Sequence, residues 1–510
     1  MSRFEGVIRA VDDRANPVVV KELRQAVQNR MVITVLLLSL LINVIITSAF
    51  LALSSEVLSG QPAGENLYQT LYGFLVCTCM AFVPLYAALR MTLERNNTNI
   101  DLLFITTIPP AAIVRGKFWA AVALTALIYS ACLPFLSFTY LLRGIDLPSI
   151  FLSLTFSFLC TTLSIMAAIF VGSISGSMLL RFLMGLGLLY FCGILMGMTV
   201  AMGMAIVQSG LGSILGTTTS WIVAIVTLVW GLLGLTLFYL LAVAAISAKT
   251  SNRMFPLRIF LTACWALWGG VTWVWSWIES DGTSLTVWMV VSCIALSMMM
   301  GLLPCERESW TPRVRRTIPR KLIPRFLAWL FYTGSAGGMV WCILLALTTL
   351  GAFVLYSRIY AGHFRWNVFD DLFPMIPMLL LYTWCYTMSG VLLRRWLAPR
   401  SSPVLATVLG VVLLGLGGTI PLFIAYTILG MKNSIRDLPT IFIVTNPFAM
   451  VDDQVDQGVV MVFLAVWAVV MLLLNLSWFR QQWREFQRYE PATSSELLVP
   501  VSAVEAPGVS

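Results

Sequence analysis

Residues 31–53 read MVITVLLLSLLINVIITSAFLAL, a run without one charged side chain. At about 1.5 Å of rise per residue, a helix of this length crosses a hydrocarbon core roughly 30 Å thick. Lipid offers no partner to backbone N–H and C=O groups, so a chain inside it must close its hydrogen bonds within helices or a sealed barrel. The run is continuously apolar and not alternating, which selects the helix. Eleven further stretches of this kind follow, near 68–90, 118–142, 150–171, 179–207, 221–246, 259–278, 285–305, 330–356, 373–393, 404–428 and 458–478. The whole chain agrees with them: 59% of its 510 residues are hydrophobic and only 11% are charged. Soluble domains carry about 25% charged residues, and the mean hydropathy here is +0.89. The expected fold is all-α, a polytopic bundle of about twelve transmembrane spans.

Basic residues orient such a bundle, because Lys and Arg stay on the cytosolic side. With both termini in the cytosol, only Arg143, Arg358, Arg365, Lys432 and Arg436 of the 32 basic residues fall outside. The net charge of +9 is then mostly this asymmetry. Trp273, Trp275 and Trp277 mark the outer end of the seventh span, where amphipathic rings favour the interface. The run Arg313, Arg315, Arg316, Arg320, Lys321 and Arg325 is expected to face anionic lipid headgroups. No aromatic-interleaved basic module is present to suggest a nucleic-acid partner. The leader before Met31 is too long and polar for a cleavable signal, and the segment from Glu490 onward, rich in Pro, Ser, Ala and Val, is expected to be a disordered cytosolic tail.

Several chemistries find little to work with. Ionisable side chains sit in loops or at span margins, whereas proton- or ion-coupled carriers hold them at membrane depth. The single histidine, His363, lies in an outer loop with Arg365, Asp370 and Asp371, the one polar cluster on which a lipid-modifying enzyme could be built. The chain contains no HExxH helix and no Ser-His-Asp set. Cys77 and Cys79 point to nearly opposite sides of a helix, so no metal site and no cofactor are expected. A phosphate-cradling loop needs GxxxxGK followed by Ser or Thr, but the only Gly-Lys pair, Gly116-Lys117, precedes Phe118. The chain is therefore not expected to be an enzyme, and any work it performs must be powered by another protein.

Two segments say more. The leader holds Asn16-Pro17-Val18-Val19-Val20-Lys21-Glu22-Leu23-Arg24, with a good N-cap, a proline suited to the first turn, and Val20, Leu23 and Val27 at helical spacing. It is expected to lie in the membrane interface. Between the second and third spans come Glu94-Arg95, then Asp101-Leu102-Leu103-Phe104, Thr106-Thr107, Pro109-Pro110 and Gly116-Lys117. A short helix with an apolar edge, broken by the prolines, is expected there, with Gly116-Lys117 leading back into the membrane.

Together these segments resemble the permease subunits of type-2 ATP-binding-cassette (ABC) exporters. That family opens with a basic interfacial elbow helix, often reading Asn-Pro-x-x-x-Lys-Glu-Leu-Arg. After its second span it carries Glu-Arg, an acidic Leu-Leu helix, Thr-Pro and a closing Gly-Lys. The chain departs from the pattern at Asn96, Asn97 and Thr98, where the family often has charge and glycine, and Pro109 falls about two residues late. The resemblance implies an elbow helix with Asn16, Pro17, Lys21, Glu22, Leu23 and Arg24. It also implies a coupling segment over 91–117, in which Asp101, Leu102, Leu103 and Phe104 dock a separate cytosolic ATPase subunit and Glu94 and Arg95 brace the second span. The setting it implies is the bacterial inner membrane. The expected organisation is a leader (1–30), a six-span half (31–246), a second six-span half (247–478) and the tail (479–510). Glu306-Arg307 follows the eighth span as Glu94-Arg95 follows the second, so the second half reads equally well as a diverged duplicate or as unrelated. A homodimer and a pseudo-symmetric pair of halves are both compatible with this pattern.

Smaller features concern packing and cargo. Gly193 and Gly197 form a GxxxG expected to let a neighbouring helix approach closely. The methionines of the fifth span, Met184, Met196, Met198, Met202 and Met204, make that span adaptable. Few polar side chains are expected along the spans, which favours lipid-like or amphiphilic cargo, moved outward. The rival to a permease is a membrane scaffold without a transport cycle.

Overall fold

The computed structural model describes residues 17–53, 63–96, 109–175, 178–216, 218–248, 250–279, 282–359, 369–428, 440–447 and 457–488. Among them there is helix and no strand, and twelve helices are long and apolar enough to cross a membrane. The chain is a multi-pass membrane protein. It divides into two compact units, Met1–Ala248 and Lys249–Ser510.

The first unit opens with α1 (Pro17–Val27), which starts at Pro17 and buries Glu22 and Ala26 while leaving Lys21, Arg24 and Gln25 exposed. Asn29 then caps the first span, α2 (Arg30–Leu53), by accepting a 3.0 Å bond from the Met31 N–H. Five more spans follow: α3 (Gly64–Asn96), α4 (Pro110–Leu141), α5 (Leu147–Ser173), α6 (Met178–Leu215) and α7 (Thr218–Ile246). The fourth span, α5, is the hub and packs against α3, α4, α6 and α7.

The reason is written along one face of α5. Ser149, Ser153, Ser157, Thr161 and Ser164 recur every three or four residues and are fully buried. Most of their hydroxyls bond carbonyls of their own helix, as Ser153 does to Ile150 and Thr161 to Ser157, so small polar groups let neighbours approach at little cost. Tyr68 on α3 shares a 2.5 Å hydrogen bond with Ser153, and Tyr129 on α4 donates to Ser157 at 3.0 Å. At Gly172 a Cβ would stand 2.6 Å from the Ala88 carbonyl oxygen, so α3 and α5 cross backbone to backbone. The spans are therefore richer in buried hydroxyls than hydropathy suggested, because a Ser or Thr bonded to its own helix barely lowers a window average.

The second unit comprises α8 (Phe255–Glu279), α9 (Thr283–Leu302), a 3₁₀ turn (Leu303–Cys305), α10 (Pro312–Arg315), α11 (Leu322–Phe331), α12 (Ser335–Ile359), α13 (Phe369–Leu397), α14 (Val404–Phe423), α15 (Thr440–Ile443) and α16 (Gln457–Glu485). Its hub is also its fourth span. Helix α13 packs against α9, α14 and α16, as α5 does against α3, α6 and α7. Asn475 on α16 donates to the Met388 carbonyl at 3.2 Å, and α13 and α14 meet where Gly390 faces Gly410.

Three differences from the sequence reading have local causes. The ninth span begins at Ser335 and not near 330, because Leu322–Phe331 forms its own amphipathic helix, interrupted by Tyr332–Gly334. The eleventh ends in a π-helical turn, Ile424–Ile428, just after Pro421 lacks the N–H to continue the ladder. The twelfth continues as helix to Glu485, into the segment expected to be tail, and the tail from Tyr489 lies outside the described residues.

Candidate functional site: charged clusters at the two connectors

The connector between α3 and α4 runs from Asn97 to Ile108, outside the described residues, so Asp101, Leu102, Leu103 and Phe104 have no structural account. Its two ends are described. Helix α3 continues to Asn96 and so carries Arg90 and Glu94 beyond the apolar part of the span. Helix α4 starts at Pro110, not at Phe118 as the apolar run implied. Pro109 is extended (φ −68°, ψ 144°), and Pro110 occupies the first turn, where a missing N–H costs nothing. Gly116-Lys117 therefore sits two turns inside α4, facing inward.

There Lys117, 6% exposed, makes two ion pairs, to Glu22 Oε1 at 2.9 Å and Glu94 Oε2 at 2.7 Å. Arg90 Nη2 lies 3.5 Å from Glu22 Oε2 and also bonds the Gln25 side chain. Two cations and two carboxylates thus balance, drawn from α1, α3 and α4. Burial pushes the Glu22 carboxyl up, but Lys117 and Arg90 together outweigh it and hold its pKa below the ordinary carboxylate value. A cavity of about 20 Å³ beside Glu22, Arg90 and Lys117 has room for roughly one water. Removing one partner from such a buried set strands the others, at about 3–5 kcal/mol.

Of the residues named from the sequence, Glu22 and Glu94 belong to this cluster. Lys21 and Arg24 project to the surface and Leu23 is half-buried. Asn16 lies outside the described residues, and the side chains of Pro17 and Arg95 are not described. The sequence alone points to no partner for Arg90 or Lys117, because nothing in the local pattern reveals a pairing between residues 95 positions apart, as Lys117 and Glu22 are.

The connector of the second unit, between α9 and α12, lies wholly within the described residues. Arg258, 3% exposed in the first turn of α8, reaches Glu306 Oε2 at 2.6 Å. It also donates to the carbonyls of Leu330, Tyr332 and Gly334 at 2.7, 2.7 and 3.0 Å. A Cβ at Gly338 would press on that guanidinium, so a larger residue there has to displace it. Trp310 donates to the Thr333 carbonyl at 2.7 Å, and Glu308 accepts from Trp478 at 3.0 Å and pairs with Arg394. From the basic run, Arg325 bonds the carbonyls of Phe486 and Trp483 at 2.7 and 3.0 Å, and Arg315 bonds that of Gln487 at 3.1 Å. Those two arginines cap the end of α16, where free carbonyls and the helix dipole favour cations; they do not simply face lipid. Glu306 thus pairs with the first span of its unit, whereas Glu94 pairs with the third.

The GxxxG of α6 meets no neighbour: a Cβ at Gly193 or Gly197 would find nothing within 4 Å, so the expected close helix approach is absent from these described residues. His363 and Arg365 lie outside the described residues, and the side chains of Asp370 and Asp371 are not described. Among the described residues no group of His, Cys, Asp and Glu could hold a metal ion. Comparison with protein-family models, curated proteins and solved structures finds no match to this chain.

Proposed function

We propose that the chain is the membrane-spanning subunit of an ABC exporter, driven by a separate cytosolic ATPase that docks on the connector between α3 and α4. The observation that supports this reading is the ion cluster at the connector's two ends. A push on residues 97–108 bears directly on Glu94 and Lys117, and through Glu22 on α1, so one displacement moves an interfacial helix and two spans together. In this reading α1 is the elbow helix, both termini are cytosolic, the protein resides in the bacterial inner membrane, and the cargo is lipid-like or amphiphilic and moves outward.

The second connector favours a single dock on this chain. Residues 303–334 are tied to α8, α13 and α16 by Arg258, Arg394 and Arg325, which suits a fixed brace and not a lever. The test is co-purification of the ATPase with the full chain. Asp101→Arg combined with Leu103→Glu is expected to abolish it, while the pair Arg313→Glu and Arg316→Glu on the second connector leaves it intact. Retention of the ATPase by the first pair would reject the docking assignment.

A further inference from the structure

The second unit contains a cleft of about 240 Å³ between α9, α13 and α14, lined by Gly301, Tyr382, Thr387, Gly410, Val411 and Leu414 among others. Its walls are almost wholly apolar. A pinch between α13 and α14 bounds it. At the pinch a Cβ on Gly390 would lie 2.7 Å from the Gly410 nitrogen. Tyr382 and Tyr386, stacked 6.5 Å apart, line it and are anchored by hydroxyl bonds to the Val444 and Thr445 carbonyls at 2.7 and 2.5 Å. Val411, 63% exposed, stands at the mouth on the apolar outer face of α14, so the cleft opens sideways toward lipid.

Among the described residues that line this space, one side-chain hydroxyl has no partner. Thr383 donates to the Leu379 carbonyl at 2.8 Å, as helical threonines usually do. Thr387, one turn on and 5% exposed, lines the cleft and makes no hydrogen bond among the described residues. It lies seven residues, or about 10 Å, inward from Arg394 along α13. A charged headgroup cannot follow it to that depth in a core about 30 Å thick.

We propose that this cleft binds a neutral, lipid-soluble molecule through one hydroxyl or carbonyl oxygen held by Thr387, with its hydrocarbon body against Tyr382, Tyr386 and Leu414. The site needs only the second unit and stands or falls apart from the ATPase reading. The test uses the full chain in phosphatidylcholine nanodiscs with two diazirine-bearing probes, a long-chain alcohol and the same chain carrying a phosphocholine headgroup. The alcohol is expected to label the cleft at least about fivefold more than the exposed valines Val462, Val466 and Val469 of α16. Gly301→Leu fills the cleft where a Cβ meets nothing within 4 Å, and should cut this labelling at least about tenfold. Thr387→Val, of the same shape but without the hydroxyl, should cut it roughly three- to tenfold, the worth of one hydrogen bond. Even labelling of cleft and outer valines, indifference to Gly301→Leu, or equal labelling by the phosphocholine probe would each overturn the proposal. If the leucine variant does not fold, Thr387→Val decides: unchanged labelling rejects the site.

Discussion

Lys117 shows how a single side chain can be read correctly for type and wrongly for place. The sequence pattern put it at the end of a connector, since apolar residues begin only at Phe118. In the structure Pro110 starts the helix, and Lys117 is consequently buried between Glu22 and Glu94. Lys117→Met should destabilise the chain by about 3–5 kcal/mol, because two carboxylates are then left facing each other; thermal unfolding in detergent measures this. Adding Glu22→Gln to that variant should recover part of the loss, and strict additivity of the two changes would mean the residues are not coupled. The cluster also sets an acid limit. With its folded pKa held below the unfolded value, Glu22 adds stability that is complete above about pH 4.5 and drains as pH falls through the folded value. Melting temperature plotted against pH should fall more steeply for the wild type than for Glu22→Gln below that point. Parallel curves would remove Glu22 from the account.

Whole elements were far more legible than their joints. Each span announces itself by about twenty apolar residues, and twelve helices answer to those runs. The amphipathic helix Leu322–Phe331 stayed hidden because its apolar residues merge with the following span in any hydropathy window. The break at Tyr332–Gly334 is set by Arg258, Glu306 and Trp310, all remote in sequence. Glycines report on the same level. Gly337→Ala should be strongly destabilising, since a Cβ there collides with the Trp329 carbonyl oxygen where α11 packs on α12. Gly193→Ala and Gly197→Ala, in open space on α6, should be neutral or stabilising by up to about 1 kcal/mol through helix propensity. A large loss of stability at Gly193 would mean that another helix does occupy that face.

At the scale of the molecule, each unit organises itself around its fourth span, yet the acidic residues that follow their second spans pair differently. In the first unit, charged residues flanking the connector tie α1 to α3 and α4. The second unit stitches its connector down with arginine-to-carbonyl bonds that no short motif encodes, and Glu306, which the sequence leaves open as a counterpart of Glu94 or as unrelated, pairs with a different span of its unit. The proposed function makes one demand on these two segments: nucleotide-driven work would enter through the first connector and not the second. The most direct test is hydrogen exchange of the full chain in complex with the proposed ATPase, compared between nucleotide-free and vanadate-trapped states. The account predicts that protection changes in peptides covering residues 17–27 and 90–117 and stays constant over 303–334. Constant protection at 90–117, or a change confined to 303–334, would contradict it.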